Sequence, residues 1–441
     1  MSEKKRIYLT LETQRRELDS RIFFACMAAN KNYSVVIGKK NSLYKYSPFF
    51  KKGLFIFKSM GLNNIKPSKI LKKQGHRLFA WDEEGLTVSD PIVIKKRVMK
   101  ECLENLDYIF TWGIKQKKIL TNIFPEFSKK FQETGHPRFD LFYNEMKKFY
   151  KYNNSQSENN FILVTSKFPK GNPLPKGDVI PRFEKHYYNQ VSSQQKLFSE
   201  YLKIIKKINY IYPDQKIFIR PHPAENIDVW RQQVKNIKNT FIITNNESTC
   251  NLISKCKFLI CTNCTTGVEA YFLNKYSINY EIIEDKENDY DLVKATCETI
   301  KSEDELFNKI SEIMSKENLN KKLIQPYDQI KIKEHIANYD MKYFSVDKIL
   351  NFLKDSLVDL SKDKRTNYLY FNIFKLVRYL KNIYYSKKNQ NTYHYKLSSQ
   401  KFDKIDLLDL QTKSENICNN LNLKKVNIRE IYPGLYRFEC K

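Results

Sequence analysis

No stretch of this 441-residue chain approaches 18 uninterrupted apolar positions, which argues against a membrane-spanning helix. An apolar leader core is missing too. Met1-Ser-Glu-Lys-Lys-Arg6 runs straight into the strand-like Ile7-Tyr-Leu-Thr-Leu11, so a cytoplasmic protein is expected. Glycine is scarce, at 11 residues. There is no G-x-G-x-x-G, no Walker A pattern and no G-x-S-x-G, which speaks against the common dinucleotide, P-loop and serine-hydrolase sites. Metal-binding patterns are thin. The nine cysteines include one lone C-x-x-C, Cys261-Thr-Asn-Cys264, without the second pair or the histidines that a zinc site wants. An odd count in a large chain suggests free, buried thiols. Asp289-Tyr-Asp291 has the form of a two-acid metal motif, but it sits in the acidic run from Glu284 and reads as surface. No metal or other cofactor is expected.

Hydrophobic residues make up 41% of the chain, enough to exclude a disordered protein. The length suits two or three domains of roughly 150 residues. Charge is the strongest compositional feature, with 77 basic residues against 49 acidic and a formal net charge of +28. Such an excess fits nucleic acid, an anionic membrane face or acidic substrates. Abundant Lys, Asn, Ile, Tyr and Phe beside so little Gly is also what AT-rich codons would give, and that drift accounts for part of the excess.

Short β-rich runs alternate with helical stretches through the first 145 residues. Strands are expected at Arg6–Leu11, Tyr33–Gly38, Leu54–Phe57, Arg77–Trp81 and Tyr108–Trp112, with helices at Arg15–Ala29, Ile65–Lys73, Ile94–Asn105 and Lys115–Phe124. This alternation predicts a parallel sheet covered by helices. The polar run 151–159 reads as a linker. The pattern then restarts. Strands are expected at Phe161–Thr165, Lys216–Arg220, Thr240–Ile243, Phe258–Cys261 and Ser277–Ile283, with a long helix at Lys185–Asn209 and shorter ones at Asp228–Val234, Cys250–Lys255 and Thr266–Leu273. Two Rossmann-like α/β domains, 1–150 and 160–345, with a cleft between them, are therefore expected. A helical, basic extension would occupy 346–441. Within it, 362–396 holds nine basic residues against the single acid Asp363, interleaved with Tyr and Phe. That composition suits an amphipathic element on an anionic inner-membrane surface. Beyond 400 a helix and one strand, Tyr432–Phe438, are expected.

Four constellations carry chemistry. Asp82-Glu83-Glu84-Gly85 follows a strand, where open α/β sheets place their ligand crevice. Adjacent acids raise one another's proton affinity, and a carboxylate there can take a proton from a hydroxyl. In Arg220-Pro-His222-Pro223-Ala-Glu225, two prolines fix an imidazole beside an arginine, an arrangement suited to a phosphate. In Thr265-Thr266-Gly267-Val-Glu269 a strand gives way to a helix start, where free N–H groups and hydroxyls offer a phosphate site. Simple capping by Thr265 is the competing reading. Gly135-His136-Pro137-Arg138-Phe-Asp140 closes the first domain, either as part of a site or as a turn with Pro137 opening a helix. Thr165-Ser166 is a weaker fifth candidate that adds hydroxyls to the phosphate site.

The order of these motifs resembles bacterial sialyltransferases, polysialyltransferases and capsule Kdo transferases. Gln74–Asp90, Gly113 and Thr134–Leu141 are also similar to proteins of surface carbohydrate biosynthesis. The resemblance covers roughly 5–345 and implies a GT-B glycosyltransferase. Such an enzyme moves a Kdo-type or sialic-acid-type sugar from a CMP-activated donor to a surface glycan or glycolipid, without metal. It implies Glu83 as catalytic base, with Asp82 and Glu84 as alternatives. It implies His222 on the departing CMP phosphate beside Pro223 and Arg220, with Thr265 and Thr266 on that phosphate. Glu247, then Glu269, would serve the ribose or cytosine. The Thr-Thr pair departs mildly from a motif in which Ser is frequent. Two other classes compete: a sugar-nucleotide 2-epimerase or CDP-alcohol phosphotransferase of the same architecture, and a nucleic-acid-binding protein.

Overall fold

The computed structural model describes residues 4–87, 91–146, 148–150, 160–174, 185–244, 247–283, 290–315, 328–356, 377, 380, 393–402 and 404–440. They divide into two compact α/β units: 1–152, 329–381 and 404–441 form unit 1, and 153–328 with 382–403 form unit 2.

Unit 1 contains strands β1 (Lys5–Leu11), β2 (Tyr33–Lys39), β3 (Leu54–Phe57), β4 (Arg77–Trp81), β5 (Tyr108–Thr111) and β6 (Phe131–Glu133). Strands β1–β6 are parallel, in the order β2-β1-β3-β4-β5-β6. Leu-Phe-Ile-Phe of β3 is buried throughout, as a strand covered on both faces must be. The run β3→β4→β5→β6 advances in one direction, so its right-handed crossovers lay their helices on one face. Leu71, Ile94, Val98, Leu103 and Leu120 share a core there. The helix Gln14–Asn30, from the β1→β2 crossover, takes the opposite face. Fifteen of its residues are buried because Pro137–Asp140, Ser345–Lys354 and Leu407–Asn420 pack around it. A helix enclosed on most sides cannot show a clean apolar stripe.

Unit 2 contains β7 (Ile162–Thr165), β8 (Ile217–Arg220), β9 (Thr240–Ile242), β10 (Phe258–Cys261), β11 (Ser277–Tyr280) and β12 (Glu298–Ile300). This sheet is wholly parallel, in the order β12-β11-β10-β7-β8-β9. Helices Lys185–Ile211 and Glu303–Met314 bury Tyr201, Ile205, Leu306 and Ile310 against it. Both units are Rossmann-like, as the alternation predicts. The short edge strands β6 (Phe-Gln-Glu) and β12 (Glu-Thr-Ile) escape the sequence pattern because each holds a single apolar residue, whereas the equally short β9 lies in the apolar run Phe241-Ile-Ile243. The expected helix Ile94–Asn105 is two helices, Pro91–Arg97 and Lys100–Asn105. Extended Met99 separates them and donates its N–H to the Met60 carbonyl at 2.9 Å.

The tail corrects the expected extension. The boundary foreseen at 345 falls at 328, and the described residues beyond 404 return to unit 1. After the helix Leu407–Asn420, the single strand foreseen at Tyr432–Phe438 is a hairpin, β13 (Val426–Tyr432) and β14 (Leu435–Cys440). Its chain reverses at Gly434, whose φ of 72° favours glycine. Strand β14 pairs antiparallel with β2 and inserts Leu435, Tyr436 and Phe438 into the core. Gly38 lies opposite Leu435, and a Cβ there would stand 2.7 Å from the Gly434 carbonyl oxygen. The basic run 362–396 lies outside the described residues, apart from Val377, Leu380 and the start of the helix Tyr393–Lys401.

Because Phe438 is fully buried, Phe438→Ala is expected to destabilise unit 1 by roughly 3–5 kcal/mol. Hydrogen exchange at β2, read against β8 as an internal control, measures this. Unchanged protection of β2 would mean that the hairpin is dispensable.

Candidate functional site

In unit 1 the acidic turn leaves the carboxyl end of β4, and each acid has its own cation. Asp82 takes a bidentate pair from Arg97, at 3.0 and 2.5 Å, and a bond from Gln116 at 3.3 Å. Burial raises its proton affinity, and Arg97 opposes that. Glu83 is enclosed and accepts from Arg21 Nη2 at 2.5 Å. His136 Nε2 lies 3.4 Å from Glu83 Oε1 and Arg138 lies 3.9 Å from Oε2. Burial would raise the pKa of Glu83, but Arg21, His136 and Arg138 outweigh it and hold the carboxyl well below the usual range. Glu84 turns outward, its side chain 49% exposed, and pairs with Arg16 at 2.8 Å, which lowers its pKa. Mutual repulsion therefore shows only in Asp82, where Glu84 adds to burial.

The motif at 134–140 is brought to this turn. Gly135 has φ 81°, and a Cβ there would meet Ser345 Oγ at 2.4 Å and Asn338 Oδ1 at 2.5 Å. His136 caps the short helix Pro137–Asp140, which Pro137 opens, and its Nδ1 accepts from Arg138 N at 3.2 Å. The imidazole proton therefore sits on Nε2, facing Glu83. Trp112 stacks on the ring at 3.9 Å between centroids and 4° between planes, and Trp81 meets it edge-on. Burial pushes the pKa of His136 down to about 4, Glu83 notwithstanding. Asp140 accepts from Ser345 N, Val346 N and Asn338 Nδ2, and burial raises its pKa to about 7. His136 and Arg138, candidates for binding the substrate or its nucleotide, pack against Glu83 within unit 1.

In unit 2 the order of connections reverses at β7, with β8 on one side and β10 on the other. Open α/β sheets bind ligands in the crevice at such a point. Thr165 ends β7, Thr266 lies in the first turn of the helix Thr265–Phe272, and their hydroxyl oxygens are 2.9 Å apart. The capping position is Cys264, with Thr265 the first helical residue, so Thr265 does not cap. Gly267 lets the helix approach Cys297, whose Sγ would lie 2.3 Å from a Cβ. Behind the turn, Asn263 adopts φ 39°; Asn279 accepts its N–H at 2.7 Å and Glu281 accepts from its Nδ2 at 2.9 Å. Glu269 is buried in the helix.

Two residues with no role foreseen for them organise this end of the sheet. Fully buried Glu225 accepts from Ser166 Oγ and Phe168 N at 2.9 Å, Trp230 Nε1 at 2.7 Å and His222 N at 3.2 Å. It ties the loop after β7 to the loop after β8, and the Ser166 proton is committed to it. Lys167 donates to the Asn263 carbonyl at 3.1 Å and to Tyr290 Oη at 3.3 Å, lying over the Tyr290 ring. It puts a cation across the β7 and β10 loops. The sequence signal for it was its place directly after Thr165-Ser166. His222 Nδ1 accepts from Ala224 N at 3.2 Å, so its proton is on Nε2. Pro223, between those two residues, belongs to this tight turn. Arg220, expected beside a phosphate, donates to the carbonyls of Ile243 at 3.3 Å and Glu247 at 2.6 Å. The Glu247 carboxylate accepts from Asn251 and Lys255. All nine cysteines are free, and the described residues contain no cluster able to hold a metal. Asp289 lies outside the described residues.

No family model matches the chain, and no curated protein matches it. Solved structures do. One is the UDP-GlcNAc 2-epimerase of Methanocaldococcus jannaschii in complex with UDP-GlcNAc and UDP. It is 13% identical, with a TM-score of 0.51 over 80% of this chain and 100% of that one. Another is a variant of the wall teichoic acid polymerase TagF, also 13% identical, with a TM-score of 0.51 over 80% of this chain and 89% of that one. The likeness gives the fold, which is of the GT-B class with two Rossmann-like domains.

Buried His136 contributes an acid-sensitive part of unit 1 stability. Burial pushes its pKa down to about 4 from an ordinary 6.5. Between these values the unfolded chain binds a proton that the folded imidazole refuses, so the His136 contribution falls as pH drops from 6.5 to 4, while Asp140, raised to about 7, works in the opposite direction. The full loss is roughly 3 kcal/mol. His136→Gln is expected to flatten that slope in urea unfolding across the window; an unchanged slope would show that other groups set it.

Proposed function

We propose that the chain is an enzyme acting on a nucleotide-activated sugar, with the phosphate end of the nucleotide held by unit 2. The observation that carries this reading is the meeting of Thr165 and Thr266 at the point where the sheet order reverses. His222 Nε2–H and Lys167 supply a proton donor and a cation on the neighbouring loops. Hydroxyls, a helix start and a lysine are the groups that stabilise a phosphate as negative charge builds on it. Arg220 serves this arrangement indirectly, by fixing the backbone at Glu247.

The finer reading is transfer of a Kdo-type or sialic-acid-type sugar from a CMP donor to a surface glycan or glycolipid. It is supported by the motif order in the sequence. Such a transfer needs a base for the acceptor hydroxyl, and the resemblance points to the acidic turn. All three acids meet an arginine, but Glu84, paired with Arg16, is the one that also reaches solvent, while Asp82 and Glu83 are buried against Arg97 and Arg21. We therefore assign the base to Glu84 and a holding role to Glu83. The second reading is epimerisation of a UDP-activated sugar, favoured by the fold shared with the archaeal epimerase.

Thermal unfolding with CMP, CDP, UMP, UDP and GDP separates these readings. CMP is expected to stabilise the protein by roughly 2.7 kcal/mol at a hundred times its Kd, and Thr266→Val, Lys167→Met or His222→Ala to remove most of that gain. Stabilisation by UDP alone would favour the epimerase, and no response to any nucleotide would overturn the site. Once a donor and acceptor are found, Glu84→Gln should lower kcat by 10²-fold or more with little change in stability. Glu83→Gln should instead cost about 3–5 kcal/mol of stability, since it strands the buried Arg21. A fully active Glu84→Gln would return the base assignment to the other acids.

A further inference from the structure

Unit 1 carries an unusual surface on the sheet face covered by the helices of the β3→β4→β5 crossovers. The helices Ile65–Lys73 and Pro91–Arg97 together hold seven basic residues and no acidic one. Arg97 is consumed by Asp82, and Lys72 donates to the carbonyls of Glu104 and Asn105. Lys66, Lys69, Lys73, Lys95 and Lys96 are exposed and make no ion pair among the described residues. Amid these lysines stand four apolar side chains that the core does not take up: Leu62 is 71% exposed, Ile92 63%, Val93 46% and Ile70 42%. Each helix spends its inward residues, Leu71 and Ile94, on the common core. The loop bearing Leu62 is fastened to the end of the second helix: Met99 N donates to Met60 O at 2.9 Å, and a Cβ on Gly61 would lie 3.5 Å from the Arg97 carbonyl. The two helices and the loop thus present their outer sides on one face.

We propose that this face of unit 1 is the surface by which the protein seats itself on an anionic lipid bilayer. Uncompensated lysines are drawn to acidic headgroups close to the surface. Exposed Leu, Ile and Val side chains gain by entering the boundary between headgroups and acyl chains. That combination favours lipid over nucleic acid, since a phosphodiester backbone offers nothing to four aliphatic side chains. The proposal moves the site of attachment from the basic run 362–396, where composition alone places it, to 62–97. It rests on the fold of unit 1 and is independent of the nucleotide reading.

The test is co-flotation of the full chain with vesicles of phosphatidylcholine alone and of phosphatidylcholine with phosphatidylglycerol. The chain is expected to bind only the anionic vesicles and to be released progressively by salt. Combined Lys69→Glu, Lys95→Glu and Lys96→Glu should reduce partitioning more than tenfold, and Ile92→Asp with Val93→Asp should weaken it at every salt concentration. These side chains are exposed, so the thermal midpoint should not move, and unchanged hydrogen-exchange protection of β3 and β4 would confirm that unit 1 of the variants is folded. Three outcomes overturn the proposal: no binding of the parent chain to anionic vesicles; undiminished binding by the charge-reversed variant; or loss of binding only on reversing Lys375, Arg378 and Lys381. If the same lysine variants lose affinity for duplex DNA while vesicle binding is unchanged, the face belongs to nucleic acid instead.

Discussion

The arginine of one helix and the glutamate of one turn hold unit 1 in register. Arg21 and Glu83 are both removed from solvent, and an unmatched charge at that depth would be prohibitive. Their pairing fixes the helix Gln14–Asn30 against the carboxyl end of β4. It also dictates what surrounds them. Glu17 lies 3.9 Å from Arg21, and Arg138 lies 3.9 Å from Glu83. With those charges in balance, a cationic His136 would be uncompensated, so the ring stays neutral and spends its faces on Trp112 and Trp81. The consequence reaches the sequence motif. Of three consecutive acids, two are drawn inward by arginines and the third is left to face water.

Unit 2 joins its loops after β7 and β8 through a carboxylate bonded to uncharged groups. Glu225 accepts only hydroxyl, indole and backbone donors, and burial raises its proton affinity. Its role is to lock two loops rather than to bind or react. A second lock, Asn263 with Asn279 and Glu281, holds the turn before the helix Thr265–Phe272 in a left-handed conformation. Between these locks the groups suited to a phosphate are held on short tethers. That is how a site on loops obtains the precision that transition-state stabilisation requires.

The strand pattern of both units was legible because buried parallel strands are runs of apolar residues, as Leu54–Phe57 and Phe258–Cys261 show. Edge strands β6 and β12 were not, since each offers one apolar residue where the equally short β9 offers a run of them. The C-terminal hairpin was misread as one strand because Tyr432–Phe438 is apolar on both sides of its turn, and its pairing with β2, about 400 residues earlier, leaves no local trace. Site residues followed the same rule. Motifs placed at strand ends were visible: His222, Thr266 and the acids at 82–84. Their partners were not: Arg21 lies in no motif, Glu225 and Lys167 only adjoin motif residues, and all three act through contacts that only folding creates. The nearness of 82–84 to 134–140 is of that kind. It turned two separate candidates into one buried cluster.

Net charge illustrates the same distinction between composition and placement. An excess of +28 does not identify a partner, since codon drift spreads lysine indiscriminately. Placement is more informative. Around the acidic turn, Arg16, Arg21 and Arg97 each meet a carboxylate, and Arg220 meets backbone carbonyls. Arginine holds these buried positions because its planar fork can satisfy two acceptors at once. Lysine instead occupies the outer sides of Ile65–Lys73 and Pro91–Arg97, where no acid among the described residues answers it. Drift alone explains scattered lysine but does not explain why Leu62, Ile70, Ile92 and Val93 stand exposed together among lysines that meet no acid among the described residues. A shared external partner would account for both.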